Sequence, residues 1–333
     1  MRVECNRRYC DFADDCNRGV YVKEKRKEAM KGDFATKAKR TGFIVSFTIL
    51  PTITFLVFYV YVNLNSFAMA FQYNAADGTV SWTLDNIKMV FQRLFPPDKE
   101  MGEAFLNTFK TFGVNMIMFF VGVFVSYFLY KKIFLYKAFR VIFYLPSIIS
   151  AVVMCAVYKD LLGSYNFGVT LQKMFGLNYV PDVFSDEKFA NTAVLINMVW
   201  LTFPGNLIIW GGTFARIPEG VIESARLDGV NWVQEAFRII IPIVWPTFAL
   251  MFILSIAGIF GASGQVFLLT MGQAGTQTIA NWMYMQVYGV SINNSSNAFN
   301  YMSALGMFLT VISCAVSLTL RKITGKAFQG VEY

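Results

Sequence analysis

The chain has 333 residues, of which 56% are hydrophobic and 15% are charged, and its formal net charge is +8. Its mean hydropathy is +0.47. A soluble chain would carry about a quarter charged residues, so the composition excludes an ordinary soluble enzyme or binding domain. The chain also contains no His, which removes the commonest general base and a common zinc ligand.

Long tracts without charge predict helices that cross a membrane. The longest tract runs from residue 239 to residue 320 and is divided by polar stretches at 272–278 and 291–297. About 20 apolar residues cross a bilayer as a helix, whereas barrel strands would be roughly ten residues of alternating polarity. We therefore predict an all-α integral membrane protein with six transmembrane helices, at residues 43–64, 104–130, 139–158, 190–214, 245–270 and 298–320.

The distribution of Lys and Arg predicts the orientation in the membrane. The segments 1–42, 131–140, 215–242 and 321–333 together hold 22 of the 29 Lys and Arg. Cytoplasmic loops carry an excess of these residues, so we expect a multi-pass membrane protein with both termini in the cytoplasm. The basic charge then reflects topology and requires no nucleic acid.

The same pattern predicts the domain organisation. We expect a cytoplasmic N-terminal tail at 1–42, a six-helix transmembrane domain at 43–320 and a cytoplasmic C-terminal tail at 321–333. The first 42 residues are hydrophilic and no small-residue cleavage pattern follows the first span, so we expect that span to act as an uncleaved targeting signal.

The chain lacks the residues of a self-contained pump or enzyme. The predicted spans contain no carboxylate, although proton-coupled carriers usually need an ionisable group in the membrane interior. Gly325-Lys326 is followed by Ala327 and lacks the earlier glycine of a phosphate-binding loop. The five cysteines fit no zinc spacing and are expected to be free thiols. We expect no metal and no cofactor on this chain, so another subunit would supply energy for transport.

The polar segment 215–242, between the fourth and fifth predicted spans, is predicted to form a helix–turn–helix. Pro218 suits the first turn of one helix, where a missing N–H costs nothing. Gly229 suits the left-handed position that ends it. Asn231 can cap a second helix, with the side chain of Gln234 reaching back. Pro242 is expected to break the chain just before the fifth span.

This loop contains the motif Glu-x-Ala-x3-Gly-x9-Ile-x-(Leu/Ile)-Pro, formed by Glu223, Ala225, Gly229, Ile239, Ile241 and Pro242. The motif resembles the "EAA" coupling loop of binding-protein-dependent ABC importer permeases. The stretch "ARLDG" (225–229) and the region 242–270 look like the maltose-type carbohydrate permeases. The resemblance covers residues 105–320 in layout, and it is strong in residue detail over 218–270.

The resemblance implies a type I ABC importer permease fold and a mechanism. The helix at 219–228 would dock in a cleft of a separate ATPase subunit, which would bind ATP and Mg. Glu223 would be the polar contact, Ala225 would allow close approach, and Gly229 would set the turn. The coupling-loop residues implied are Glu219, Glu223, Ala225, Arg226, Asp228, Gly229, Ile239 and Pro242.

The resemblance also implies a location in the bacterial cell membrane, and it implies partners. These are a second permease in a heterodimer, two ATP-binding subunits, an extracytoplasmic solute-binding protein, a carbohydrate substrate and membrane lipid. The alternative to a coupling loop is that residues 215–242 form an amphipathic surface loop without a partner.

A carbohydrate path needs amides, hydroxyls and aromatic rings that face inward. The candidates are Asn197, Trp200, Asn206, Ser255, Ile259, Ala262 and Gln265. Ser255 lines up with a substrate-contacting serine of the maltose-type permeases by its position after Pro242. The amides that follow in that family are replaced here by "GIFGASG" (258–264), which favours a wider passage over a tight sugar site. Helix packing is the alternative for each small residue.

Two other functions stay open at this point. One is an importer of another branch, for glycerol phosphate, peptides or amino acids. An anion site would need cations in the path, and the last two predicted spans have none. The other is a membrane enzyme or a self-contained carrier, which the missing chemistry disfavours.

Overall fold

The computed structural model describes residues 39–75, 79–95, 97–163, 170, 173–174, 183–262, 264–288 and 297–327. Residues 1–38 of the predicted N-terminal tail and 328–333 of the predicted C-terminal tail lie outside them. The described part of the chain is mainly helical, which agrees with the predicted class.

The helices are α1 (Lys39–Ala70), α2 (Asp85–Leu94), α3 (Lys99–Tyr130), α4 (Tyr136–Ile148), α5 (Ala151–Leu162), α6 (Glu187–Phe214), α7 (Glu219–Leu227), α8 (Trp232–Ala257), α9 (Gly264–Thr270), α10 (Ile279–Tyr288) and α11 (Asn297–Ala327). The strands are β1 (Gln72–Asn74) and β2 (Val80–Trp82). The chain divides into two compact units, residues 1–66 and residues 67–333.

The described part of the first unit is the helix α1 up to Ser66. Its side chains are exposed almost throughout, including Phe47 at 74% and Phe58 at 73%. The hydroxyls of Thr48 and Thr52 donate to carbonyls one turn earlier at 2.8 Å. Such internal bonds satisfy the hydroxyls of a helix that faces lipid.

Five helices are long and apolar enough to cross a membrane, namely α1, α3, α6, α8 and α11. The predicted third span, 139–158, is wrong as a straight helix, because α4 and α5 meet there at an angle of 100°. Ile149 and Ser150 between them have extended backbones. The described residues therefore give five spans, or six where this bent pair crosses as one.

The predicted fifth span, 245–270, also differs from the structure. Helix α8 begins at Trp232 and passes through Pro242 without a break. It widens into a π-helix over Glu235–Ile240, so that the N–H of Ile241 reaches back to the carbonyl of Ala236. This wider turn next to the proline relieves the clash that a proline ring makes in a regular α-helix.

The break occurs later than predicted, after Ala257. Gly258 leaves the helical conformation, and Ile259–Gly261 form a short 3₁₀ turn before α9 begins at Gly264. The predicted span is therefore two helices, and Ile259 and Ala262 lie in the connection between them.

The predicted outer loop at 271–297 contains a helix that the sequence analysis missed. Ile279 and Asn281 of α10 are fully buried, and Trp282 is 4% exposed. Ile279 and Trp282 pack in a cluster with residues of α3 and α11. Because α10 has ten residues, it is too short to cross a bilayer but long enough to fill the protein interior.

A β-hairpin was also not predicted. Strands β1 and β2 pair antiparallel, with Gln72 opposite Trp82. The hairpin is joined to the start of α11, because Asn297 exchanges two hydrogen bonds with the backbone of Asn74, at 2.9 and 3.1 Å. Asn300 donates to the carbonyl of Gln72 at 2.8 Å.

Buried apolar residues of the second unit form three clusters. One joins α2, α3, α10 and α11, and another joins α5, α6 and α9. The remaining cluster joins α3, α6, α7 and α8, and it includes Tyr127, Trp210, Ile222 and Ala236. This last cluster holds the loop between α6 and α8 in place.

Candidate functional site

The loop between α6 and α8 contains the first helix of the predicted helix–turn–helix. Helix α7 begins at Glu219, directly after Pro218. The carbonyl of Pro218 accepts a hydrogen bond from the N–H of Val221 at 3.1 Å. A proline at the start of a helix leaves no N–H unpaired, so the residue type suits this position.

Helix α7 ends in a Schellman motif. Gly229 has a φ of +71°, a left-handed conformation that glycine adopts without the penalty of a Cβ. The N–H of Val230 donates to the carbonyl of Ala225 at 3.2 Å, and that of Asp228 donates to Ser224 at 3.1 Å. The prediction that Gly229 ends the first helix is confirmed.

Helix α8 begins with the predicted capping box. The side chain of Asn231 accepts from the N–H of Trp232 at 2.7 Å, and the side chain of Gln234 accepts from the N–H of Asn231 at 3.3 Å. Four residues, 228–231, thus separate two helices whose facing ends are both capped. Such a connection fixes the angle between α7 and α8 and lets little bending occur there.

One face of α7 is buried on the protein and the opposite face is exposed. Ile222 and Ala225 are 6% and 4% exposed, so the small Ala225 brings α7 close to the other helices of this chain. The side chain of Arg226 lies outside the described residues. The exposed members of the predicted coupling set are Glu219, Glu223, Asp228 and Gly229.

The remaining members of the coupling set lie in α8. Ile239 is half-buried in the π-helical segment, and Pro242 is half-buried just after it. They therefore shape the widened turn of α8 and lie apart from the exposed face of α7.

A cavity of 280 Å³ lies beside the exposed carboxylates of α7. It is lined by Tyr130, Lys131, Lys132, Glu219, Ile222 and Glu223. Basic groups from the end of α3 thus line the same cavity as the acidic groups of α7. Lys132 has a φ of +55°, an uncommon conformation for a residue with a side chain. This turn and α7 form one polar surface.

A buried ion pair lies behind this surface and was not predicted. Nζ of Lys131 lies 2.6 Å from Oε2 of Glu235, and the Glu235 side chain is 2% exposed. The hydroxyl of Tyr127 donates to the carbonyl of Trp232 at 3.2 Å. Helix α8 begins before the predicted span at 245–270 and includes Glu235. In the sequence, Glu235 is one of four acidic residues in the polar segment 215–242, and no local signal distinguishes it from the exposed ones.

The predicted substrate-path residues are divided between several packing interfaces. Asn197 on α6 is fully buried, and its Oδ1 accepts from the thiol of Cys155 on α5 at 3.4 Å. Asn206, about two and a half turns later on α6, lies against Gly122 of α3. Trp200 is 39% exposed. Asn197 and Asn206 therefore contact different neighbouring helices.

The other path candidates lie at the end of α8 and beyond it. The hydroxyl of Ser255 donates to the carbonyl of Met251 at 2.9 Å within α8. The carbonyl of Ala262 accepts from the hydroxyl of Thr278 at 2.7 Å. Ile259 and Gln265, on either side of Ala262, are half-buried. These groups surround the break between α8 and α9.

The loop after α9 has an unusual backbone that the sequence analysis did not anticipate. Met271, Gly272, Ala274 and Gly275 all have φ between +52° and +83°. Residues with side chains rarely adopt such angles, and they persist where the surroundings hold them. Met271 is also 60% exposed, so this loop presents an apolar side chain from a strained position.

Buried polar side chains hold this loop in place. Asn107 of α3 donates to the carbonyls of Gly275 and Gln277 at 2.7 and 3.1 Å. The hydroxyl of Thr108 accepts from the N–H of Ile279 at 2.9 Å. The loop and the start of α10 are therefore bound to the first turns of α3.

Curated permease proteins are similar to this chain. The maltose/maltodextrin transport system permease protein MalF of Vibrio vulnificus is 33% identical over 137 residues, which are 40% of this chain and 26% of MalF. The arabinooligosaccharides transport system permease protein AraP of Bacillus subtilis is 23% identical over 292 residues, which are 85% of this chain and 88% of AraP. The chain thus spans about a quarter of the MalF relative and most of AraP.

The fold is similar to that of solved bacterial ABC transporters. A chain of the alginate ABC transporter, in complex with an alginate pentasaccharide-bound periplasmic protein, matches with a TM-score of 0.68 and 20% identity. The match covers 89% of this chain and 99% of that chain. A second structure, of a transporter involved in the import of the acidic polysaccharide alginate, gives a TM-score of 0.69 at 18% identity.

The match to a sequence family covers more than half of the chain. Residues 118–328 match the family described as the binding-protein-dependent transport system inner membrane component. The matched region begins within α3 and includes α7, the capped turn at Gly229 and all of α8. The chain therefore belongs to the family of binding-protein-dependent transport system inner membrane components.

Proposed function

We propose that this chain is the permease subunit of an ABC importer and forms part of the path by which a carbohydrate enters the bacterial cell. The observation that carries the proposal is α7, a nine-residue helix with a buried apolar face and an exposed acidic face. A helix that is fixed at both ends and exposed on one side is suited to receive force from a partner.

In this proposal, α7 docks on an ATP-binding subunit at the cytoplasmic side, where both termini of the chain also lie. Two such subunits bind ATP and Mg and close on each other. A second permease completes the path, and an extracytoplasmic solute-binding protein delivers the substrate. Glu219 and Glu223 face the ATPase, while Gly229 holds the angle at which motion of α7 passes to α8.

Support for a carbohydrate comes from relatives whose names refer to maltodextrin and arabinooligosaccharides. Of the path candidates, Trp200 is partly exposed and could offer its ring to a sugar face. Asn206 and Gln265 are half-buried and retain polar atoms near the surface. Asn197 is fully buried, so we assign it to the packing of α6 against α5.

Photo-crosslinking tests the docking of α7. p-Benzoylphenylalanine at position 223 should crosslink to an ATP-binding subunit in native membranes. Position 187 is the matched control, because Glu187 is also an exposed Glu on a helix. It lies at the far end of α6, about 40 Å from the end of α6 that leads to α7, by the rise of an α-helix. Crosslinking of the ATPase from both positions or from neither would contradict the docking role.

Gentle detergent extraction of the tagged chain tests the assembly. An ATPase, a second permease and a solute-binding protein should co-purify and be identified by mass spectrometry. Uptake of labelled maltotriose, arabinotriose, glycerol phosphate and a tripeptide into proteoliposomes then tests the substrate class. Uptake of a sugar supports the proposal, whereas uptake of glycerol phosphate or the peptide assigns another branch. Uptake by the chain alone would establish a self-contained carrier instead.

A further inference from the structure

The buried ion pair between Lys131 and Glu235 joins two elements that are distant in sequence. Lys131 follows the last residue of α3, and Glu235 begins the π-helical segment of α8. The carboxylate is 2% exposed and the Lys131 side chain is 22% exposed. The pair therefore fixes the end of one long helix to the beginning of another.

Stability does not explain why this pair is present. Burying two charges costs desolvation that their attraction often fails to exceed, and apolar replacements of such pairs are often neutral or stabilising. Oε1 of Glu235 is buried and has no hydrogen-bond partner within the described residues. An unsatisfied carboxylate oxygen adds to the cost. Because the pair is costly, we explain its presence by the position in which it holds the end of α3 relative to the beginning of α8.

Other contacts at the same junction support a mechanical role. Tyr127, one turn before Lys131, donates its hydroxyl to the carbonyl of Trp232 at 3.2 Å. Nζ of Lys131 lies 5.8 Å from the centre of the Tyr127 ring, within the range of a cation–π contact. Two contacts, the ion pair and the hydrogen bond from Tyr127, thus hold the end of α3 at the first turn of α8, and the cation–π contact orients Lys131.

Helix α7 is connected to this junction on two sides. Ile222 packs in the same apolar cluster as Tyr127 and Ala236. The short capped turn at Gly229 also leads directly from α7 into the first turn of α8. A displacement of α7 is therefore passed to α8, and the ion pair is the charged contact through which α8 can move α3.

We propose that Glu235 is a positioning residue that acts through Lys131, so that α3 follows α7 and α8 during transport. This inference rests on the proposed function, because it requires that an ATPase moves α7. Without the pair, ATP-driven movement of α7 still reaches α8 but no longer reaches the far end of α3.

The test uses the assembled complex in nanodiscs and a reporter cysteine at the far end of α3. Leu106→Cys in a chain without other cysteines is suitable, since Leu106 is 56% exposed. Its labelling rate with a maleimide is measured with and without ATP and vanadate, which requires no knowledge of the substrate. ATPase co-purification and ATP hydrolysis are measured in parallel.

We expect ATP and vanadate to change the labelling rate in the wild type. Lys131→Met/Glu235→Met should assemble and hydrolyse ATP, but the change in labelling should fall about five-fold or more, as for a lost coupling of about 1 kcal/mol or more. The exchanged pair, Lys131→Glu/Glu235→Lys, should restore the change. Lys88→Met is the control, because Lys88 forms an exposed ion pair with Asp85 on α2.

The outcomes separate this inference from the proposed function. An unchanged response in the double Met variant overturns the inference, as does a lost response in the exchanged pair when its ATPase is bound. No response in the wild type, or no bound ATPase, contradicts the proposed function itself. Loss of ATPase binding in the double Met variant would show a role in assembly and would also overturn the inference.

Discussion

The side-chain amide of Asn191 on α6 donates to Oδ1 of Asn107 on α3 at 2.8 Å. Asn107 in turn donates to the carbonyls of Gly275 and Gln277. One buried asparagine thus connects two long helices with the loop that follows α9. Removing it should free that loop while the helices remain.

Asn107→Leu should therefore destabilise the second unit. The variant removes the hydrogen bonds to the carbonyls of Gly275 and Gln277, and each lost bond costs about 0.5–1.5 kcal/mol. Asn115→Leu is the control, because Asn115 lies about two turns along the same helix and is half-buried. Thermal unfolding in detergent should give a lower Tm for Asn107→Leu than for Asn115→Leu. Equal Tm values would show that the asparagine network contributes no stability.

Alanine substitutions at two glycines of the loop after α9 allow the cost of steric overlap to be measured separately from the cost of backbone strain. A Cβ at Gly272, where φ is +83°, would overlap Nδ2 of the fully buried Asn281. A Cβ at Gly275, where φ is +67°, would meet no atom within 4 Å. Gly275→Ala carries strain alone, about 1–2 kcal/mol, and Gly272→Ala carries strain and overlap. Thermal unfolding should rank Gly272→Ala as the less stable variant, and the reverse order would disprove this geometry.

Gly229 allows a direct test of the angle between α7 and α8. Proline fixes φ near −65° and cannot adopt the observed value of +71°, whereas Asn tolerates the left-handed region. Gly229→Pro should leave the protein in the membrane but abolish ATPase co-purification or uncouple ATP hydrolysis from uptake. Gly229→Asn should retain most of both activities. Normal coupling in Gly229→Pro would refute the idea that this turn transmits force.

Glu223 should contribute to docking without contributing to the fold of the chain. Its side chain is exposed and lines the cavity beside α7. Reversal of a charge that is paired across an interface costs about 2–5 kcal/mol, so Glu223→Lys should weaken ATPase binding at least about tenfold. Glu187→Lys should bind normally. Binding can be measured by titrating purified ATPase onto the permease in nanodiscs, and equal affinities would exclude Glu223 from the interface.

The features predicted correctly from the sequence depend on residues close together in the chain. Gly229 ends α7, and Asn231 with Gln234 caps α8, because each motif lies within about six residues and uses side chains with specific backbone preferences. The long apolar helices were predictable for the same reason. Their presence follows from composition within one window of sequence, whereas their boundaries, such as the start of α8 at Trp232, do not.

The features that were missed depend on distant residues or on small backbone adjustments. The bend at Ile149–Ser150 lies within a mainly apolar run, where Pro146 three residues earlier is the one local sign of it. Glu235 is buried because Lys131 lies opposite it, and that neighbour is 104 positions away. Pro242 does not break α8 because a widened turn precedes it. Local sequence patterns do not predict such features, because they depend on how the helices pack in the folded protein.

The hydrogen bonds between Asn74 and Asn297 can form only after the ribosome has synthesised the chain as far as Asn297. The two residues are 223 positions apart, and a ribosome adds about 5–20 residues per second. The hairpin therefore exists for roughly 10–45 s before its partner on α11 has been made. During that interval the backbone N–H and carbonyl of Asn74 lack the partner that Asn297 later provides. A membrane insertase or chaperone that shelters this segment during synthesis would protect the nascent chain from mispairing.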